Sequence, residues 1–462
     1  MVVGEVAERT QVAVVGGGPG GYAAALRCAA NGAQVTLIER DAVGGTCLNV
    51  GCIPSKTLLH AAAAVGSARR GAVPGVDMSP TVDPVAMLAH RREVVATLTG
   101  GVRSLLSAAG VDVWTGNASF SRPNRLAVAE GDQVRHLEFD DVVLATGSSP
   151  IELPHLPPDG ERILDSTGAL ALDRIPSTMV IVGGGYIGVE LGTAYANLGS
   201  QVTIVESAGR ILPAMERRVG SAVARRLKEL GATVLTSTTA GEPTDTGIKL
   251  VSAKGDESTV EAECIVVAVG RRPNSAGLGL ERVGVEPGPT GHVEVDAQGR
   301  AAPKVWAIGD LTRGPALAHK ATAEAEVVAD ALAGGTRTFD PRAIPEVVFG
   351  DPEVVRVGVD PDSVDGATLR IARFPHVSGA RSRTLDDTSG FVQLVADEAG
   401  TVIGATAVGA HVAELAGELA TLVELCVSLD EVAEIIHPHP TMSEGIAEAA
   451  WIAVGRPLHG RS

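Results

Sequence analysis

Residues 11–40 read QVAVVGGGPGGYAAALRCAANGAQVTLIER, and residues 178–207 read TMVIVGGGYIGVELGTAYANLGSQVTIVES. Both stretches hold a short β-branched run, a glycine cluster, an alanine- and leucine-rich stretch, then Gly-x-Gln-Val-Thr and an acid. From the first glycine of each cluster, Gly16 or Gly183, the acid follows 23 residues later, as Glu39 or Glu206. Strand, turn, helix, strand and acid are therefore written twice, and that context gives meaning to an otherwise weak glycine motif. Gly16 and Gly183 permit the tight turn. Gly18 and Gly185 let backbone approach a pyrophosphate, and Gly21 and Gly188 permit close packing of helix on strand. The phosphates are expected at each helix N-terminus, where free N–H groups and the helix dipole favour an anion. Glu39 and Glu206 are expected to accept hydrogen bonds from adenosine ribose hydroxyls. A carboxylate at 206, followed by Ser207 and Ala208 rather than a basic pair, favours NAD over NADP.

Around these units the text alternates strand and helix, as a parallel sheet requires. Residues 140–147 read as a buried strand ending in a glycine turn at Thr146 and Gly147. Residues 264–270, ending at Gly270, and 305–310, ending at Asp310, repeat that shape. The proline-rich stretch near 150–158 reads as a linker, with a further boundary around 341–345. Beyond it, residues 346–349, 390–395 and 402–408 read as an antiparallel sheet, followed by a helical run over 411–426.

Composition narrows the function classes. The chain has 462 residues and a formal net charge of −17, which disfavours nucleic acid or an anionic membrane as the main partner. Aromatic residues make up 3%, leaving little to stack on bases. No run approaches the ~18 apolar residues of a membrane span. The start of the chain, Met1 to Glu8, lacks the basic and apolar regions of a leader, so the cytoplasm is the expected location. Five cysteines do not make an extracellular disulfide framework, and no metal site is expected.

Residues 44–56 read GGTCLNVGCIPSK and place Cys47 and Cys52 five apart. An ideal helix would separate their Cα atoms by about 7.5 Å, beyond the roughly 6.8 Å that a disulfide tolerates. A bond between them needs an irregular turn, for which Gly51 supplies backbone freedom. Two buried cysteines on a helix would be the ordinary reading. The position directly after a dinucleotide unit, with Lys56 close behind, favours a redox pair. Cys28, Cys264 and Cys426 sit in apolar text and are expected to be inert core residues.

With these motifs in view, the chain resembles the class I pyridine nucleotide–disulfide oxidoreductases over almost its whole length. The resemblance rests on Gly16 to Gly21, Gly44 to Lys56, Gly183 to Glu190 and Arg210 to Pro213. It continues through Gly270 to Asn274, Ala307 to Asp310, Ala318 to Ala321 and the segment HPHPTMSE at 437–444. It implies an α/β fold, with two doubly wound dinucleotide-binding (Rossmann-like) domains plus a C-terminal α+β dimerisation domain. The boundaries implied are 1–149 and 276–344 for the FAD-binding parts, 150–275 for the NAD-binding domain, and 345–462 for dimerisation. One FAD would lie on the first glycine unit, with Asp310 on its ribityl chain and Ala118 and Ala318 nearby. Thr146, Gly147 and Gly270 join the cofactor-binding positions. NAD would lie on the second unit, with Tyr186 covering the nicotinamide pocket, and Lys56 would sit by the flavin, paired with Glu190.

The C-terminal segment completes the reading. A disulfide centre that reacts with a dithiol needs a base poised near neutrality, and histidine fits. By resemblance His439 is that base and Glu444 its partner, serving the disulfide of the other subunit of a homodimer. His437 is then structural, and a cis His439–Pro440 bond is implied. Within the family the motifs point to the branch that oxidises dihydrolipoamide, the dithiol of protein-bound lipoyl groups, and delivers hydride to NAD⁺. The partner implied is the lipoylated carrier protein of a 2-oxo acid dehydrogenase or similar complex. The alternative is an NAD(P)H-dependent reductase of another small disulfide on the same scaffold. A mercury-reducing relative would carry a C-terminal cysteine pair, whereas residues 456–462 read RPLHGRS. Phe349 to Glu353 and Gly379 to Arg381 depart from the usual family pattern.

Overall fold

The computed structural model describes residues 7–71, 75–364 and 368–460. Residues 1–6, where a leader was sought, and 461–462, at the end searched for a cysteine pair, lie outside the described residues. The chain divides into two compact units, one built from residues 1–54, 89–151 and 271–340, the other from 55–88, 152–270 and 341–462.

The first unit centres on a sheet ordered Arg300–Ala302, Val305–Ala307, Gln133–Leu144, Ala7–Val15, Val35–Glu39 and Asp112–Thr115. Its central strands run parallel, with Val12–Val15 of the first strand in register with Val35–Ile38 on one side and Asp141–Leu144 on the other. Both faces of Ala7–Val15 are covered from Val12 onward, so an unbroken apolar run is what the position requires. A hairpin, Asn117–Arg122 with Arg125–Glu130, joins the long strand Gln133–Leu144.

The second unit holds a parallel sheet ordered Thr233–Leu235, Gln201–Val205, Thr178–Val182, Cys264–Val267 and Ile163–Leu164. A separate antiparallel sheet is ordered Glu346–Val348, Glu353–Gly358, Val402–Gly409, Phe391–Ala396 and Arg370–Pro375. Three of these five strands were expected; Glu353–Gly358 and Arg370–Pro375 were not. The helix Glu444–Ala453 packs on this sheet through Ile446, Ala449 and Ala450. Among the described residues no helix is long and apolar enough to cross a membrane.

Two expectations are corrected. Cys28 and Cys264 are buried as expected, and burial pushes their thiols up to about 12 and about 11. Cys426 is exposed, because the helix Ala416–Glu424 ends just before it and its backbone turns left-handed at φ 54°. Gly51 does not act through unusual backbone angles. Its role is closeness: a Cβ there would stand 2.9 Å from the carbonyl oxygen of Thr46.

Candidate active site

The two glycine turns agree bond for bond. Gly16 N–H donates to the Ile38 carbonyl at 2.8 Å, and Gly183 N–H to that of Val205 at 2.8 Å. Gly16 has φ 102° and Gly183 φ 115°, angles at which an L side chain is strained. A Cβ on either would overlap a carbonyl oxygen, of Ala145 or Ala268, and a Cβ on Gly21 or Gly188 would overlap the carbonyl of its own first glycine. The middle glycines differ. Nothing lies within 4 Å of a Cβ placed on Gly185, and on Gly18 it would meet only the Gly45 Cα, at 3.9 Å. First and third glycines thus fill packed backbone while the second faces open space at a helix start, which fits a dinucleotide pyrophosphate.

The acids do more than await a ribose. Glu39 accepts from the N–H of Gly17 at 2.6 Å and of Asp41 at 2.9 Å. Glu206, buried, accepts from Gly184 N–H at 2.7 Å and Ala208 N–H at 2.7 Å. Each carboxylate therefore bolts the glycine turn to the end of the second strand. Ala118 lies in the strand Asn117–Arg122, whose approach is set by Gly116 N–H donating to the Glu39 carbonyl at 3.0 Å.

The first turn also anchors the cysteine segment. Gly44 N–H donates to the Gly17 carbonyl at 2.8 Å, and a Cβ on Gly45 would stand 2.6 Å from the Gly18 Cα. The short helix Gly45–Asn49 carries half-buried Cys47; Val50 and Gly51 interrupt it, and exposed Cys52 opens the helix Cys52–Arg69. The break supplies the irregular turn that the five-residue spacing demanded. The Asn49 amide donates to the carbonyls of Ala42, Val43 and Gly45 at 3.0–3.3 Å. Sequence reasoning quoted Asn49 and gave it no role.

Asp310 sits in the turn Gly309–Leu311 and accepts from the Ser148 hydroxyl at 2.5 Å. Arg271 donates to Ser148 Oγ at 2.7 Å. Thr146 and Gly147 are held by Asn274, whose amide donates to the Thr146 carbonyl at 2.9 Å and whose N–H donates to that of Gly147 at 2.9 Å. Asn274 lies 128 residues from Thr146, a pairing with no local sequence signal. Ala318 opens the helix Ala318–Leu332. In its first two turns, buried Lys320 and Glu324 grip the Asp310 turn. Lys320 donates to the Gly309 carbonyl at 3.0 Å and Thr312 Oγ1 at 2.8 Å, while Glu324 accepts from Gly309 N–H at 2.7 Å.

In the second unit, Lys56 Nζ donates to both oxygens of Glu190, at 3.0 and 2.8 Å. Glu190 is buried and also accepts from Phe349 N–H at 3.0 Å. The Phe349 ring lies 4.5 Å from the ammonium, within cation–π range. The residue that departs from the family pattern thus covers the lysine from one side. Tyr186 opens the helix Tyr186–Leu198 and is 41% exposed; Gly270 has φ 125° and follows the strand Cys264–Val267.

In the same unit His439 Nδ1 lies 2.7 Å from Glu444 Oε1, and Thr441 N–H fixes the other carboxylate oxygen at 2.8 Å. The His439–Pro440 bond is cis. The ring is 70% exposed, leaving Nε2 accessible to an incoming group. His437 is its opposite: the side chain is 5% exposed, with Nε2 2.7 Å from Glu418 and Nδ1 3.1 Å from the Ile435 carbonyl. The Glu418 carboxylate raises its pKa.

Comparison with known proteins places this geometry. Residues 10–325 match the pyridine nucleotide-disulphide oxidoreductase model, and residues 344–450 match the dimerisation domain of the same group. The chain belongs to the pyridine nucleotide-disulphide oxidoreductase family, whose cofactors are FAD and NAD. It is 43% identical over 467 residues to the dihydrolipoyl dehydrogenase of Geobacillus stearothermophilus, covering 99% of each chain. It is also 43% identical over 470 residues to that of Halobacterium salinarum, again covering 99% of each. Among solved structures, LpdA from Mycobacterium tuberculosis superposes with a TM-score of 0.88 at 30% identity, covering 96% of this chain and 99% of that one. The flavoprotein disulfide reductase RclA from Escherichia coli gives 0.85 at 27% identity, covering 95% and 99%.

Proposed function

We propose that this enzyme oxidises protein-bound dihydrolipoyl groups to lipoyl groups through a Cys47–Cys52 disulfide and passes the two electrons to NAD⁺. The observation that carries the proposal is the His439–Glu444 pair at 2.7 Å, with an exposed ring, in a chain 43% identical to dihydrolipoyl dehydrogenases. Glu444 orients the ring, and His439 takes a proton from the dithiol. The thiolate attacks Cys47 Sγ and the Cys47–Cys52 bond breaks, leaving a mixed disulfide and a Cys52 thiolate. The second thiol of the substrate then attacks its own mixed-disulfide sulfur, closing the lipoyl ring and releasing Cys47. The start of the helix Cys52–Arg69 favours negative charge on Cys52, and Lys56, held by Glu190, adds a nearby positive charge.

The Gly16–Gly21 turn, Thr146, Gly147, Asp310, Ala118 and Ala318 would hold FAD; Gly183–Gly188, Tyr186, Glu206 and Gly270 would hold NAD. FAD, when bound, supplies the two-electron relay between thiol chemistry and hydride chemistry. The second glycine unit and Glu206 select the acceptor, NAD⁺, because the carboxylate repels a 2′-phosphate and is followed by Ser207 and Ala208 rather than a basic pair. The dimerisation-domain match and the exposed His439 support a homodimer that shares each site between subunits, and the cytoplasm is its proposed location. A lipoylated carrier of a 2-oxo acid dehydrogenase or similar complex is the partner. The four-part division at 149, 275 and 344 is proposed with it.

The test is NADH formation from dihydrolipoamide and NAD⁺, with NADP⁺ in parallel, on purified flavin-bearing protein. Rapid NAD⁺-specific turnover is expected. A flavin spectrum without dihydrolipoamide oxidation, but with NADPH-driven reduction of another disulfide, overturns the substrate assignment.

A further inference from the structure

The helix Arg217–Glu229 turns one face toward a cleft of about 1080 Å³ in the second unit. Its walls carry Arg210, Arg217, Arg218, Arg225, Arg226 and Arg373, against Glu216, Glu229 and Asp362. In a chain of net charge −17, such a concentration of arginine is out of keeping with the rest of the surface. Neither the Gly183–Gly188 turn nor Glu206 contributes to it.

The acids of the cleft are fewer than its arginines, and each is already engaged. Arg226 takes up Asp351, at 2.9 and 3.0 Å, and Glu229, at 3.2 Å. Asp362 is spent on the backbone, accepting from Arg217 N–H at 2.7 Å. Glu216 is buried and bonded to the neutral amide of Gln393, at 3.2 Å to each oxygen. Among the described residues the side chains of Arg217, Arg218 and Arg225 make no ion pair or hydrogen bond. Arg217 and Arg218 also stand in the first turn of their helix, where the dipole already presents positive potential and acids are preferred. The Nε of Arg210 and of Arg373 are buried without a partner. Like charges gathered this closely repel unless an anion joins them. Guanidinium groups, with their planar fork of donors, suit phosphate oxygens best. One wall is apolar, with Ile371 48% exposed and Phe391 beneath the Arg373 guanidinium at 5.2 Å.

We infer that this cleft binds a polyphosphate anion, either inorganic or the phosphate chain of a nucleotide. The volume stands just above the usual range of small-molecule sites, and Arg217, Arg218 and Arg225 are the groups left uncommitted for it.

The test is calorimetric titration of the holoenzyme, saturated with NAD⁺, with inorganic tripolyphosphate, ATP and adenosine. One tripolyphosphate or ATP per chain is expected, with no binding of adenosine. ATP tighter than tripolyphosphate would assign the Ile371 and Phe391 wall to the base; equal affinities would assign the site to phosphate alone. The R218S/R225S variant, altered only at groups without partners, should keep its thermal midpoint and NADH-forming turnover. Its affinity should fall by about tenfold or more for each arginine removed, in line with charge-assisted hydrogen bonds. Absence of binding under NAD⁺ saturation, or affinity unchanged in the variant, overturns the inference.

Discussion

Lys320 Nζ lies 2.9 Å from Glu324 Oε1, one helical turn apart on the same helix and both out of reach of solvent. Between them they satisfy both backbone polar groups of Gly309, the residue before Asp310. Desolvation raises the Glu324 pKa against the opposing pull of Lys320.

Replacing Lys320 with methionine leaves Glu324 and the Gly309 carbonyl buried without their cation. Removing one partner of a buried pair costs roughly 3–5 kcal/mol. The variant should melt well below the parent and lose flavin on gel filtration. K320M/E324Q, which removes both charges, should recover part of the melting temperature. If K320M keeps both stability and flavin, the grip on the Asp310 turn is unimportant.

The Lys56–Glu190 pair calls for a smaller stability effect and a larger kinetic one. Lys56 is 33% exposed, so solvent screening limits the pair to about 1 kcal/mol. Glu190→Gln preserves an acceptor for Phe349 N–H and removes the charge that holds the ammonium. Turnover of dihydrolipoamide should fall about tenfold, a loss of roughly 1.4 kcal/mol in the barrier, with only a slight change in melting. Unchanged turnover would make the pair structural.

His439→Gln should lower dihydrolipoamide turnover by about 100- to 10,000-fold, the range for removal of a general base. NADH-driven reduction of an artificial one-electron acceptor, which bypasses thiol exchange, should survive. Equal loss of both activities would contradict the assigned role. Cys47→Ser should give the same split.

His376 supplies a pH dependence. Its ring is 2% exposed, and burial drives its pKa down to about 4 from 6.5. The unfolded chain binds this proton below about pH 6.5, while the folded chain resists it until about pH 4. Stability is therefore unaffected above 6.5, falls as pH drops through that window, and levels off below it. The full loss is roughly 3 kcal/mol. His376→Asn should remove this part of the slope; melting curves at pH 7 and pH 5 measure it, and an identical slope in the variant would exclude His376 as the source.

Glu206→Ala should weaken NAD⁺ without admitting NADP⁺. One carboxylate oxygen holds Gly184 N–H of the turn and the other Ala208 N–H after the second strand, at 2.7 Å each. Their loss loosens the phosphate cradle, and the substitution introduces no cation to meet a 2′-phosphate. A KM for NAD⁺ raised about tenfold corresponds to one lost charge-assisted bond. Improved use of NADP⁺ would show that the carboxylate acts by repulsion alone.

The amino-acid sequence by itself determined both glycine turns, the acid placed 23 residues after each, and the two strand–helix–strand units around them. Each is settled within some thirty residues, by strand and helix propensity and by positions where a Cβ does not fit. The pairing of His439 with Glu444 came from the family resemblance of the 437–444 segment, and the two side chains do meet. Only the tertiary structure decided which distant groups meet. Phe349 reaches Lys56, Asn274 clasps Thr146, and strands from residues 353–358 and 370–375 complete the antiparallel sheet. It also placed Arg373 beside the helix that carries Arg218 and Arg225, and left Cys426 exposed. Such contacts leave no periodic mark in either segment. They arise when packing brings two surfaces together and buried polar groups must then find partners.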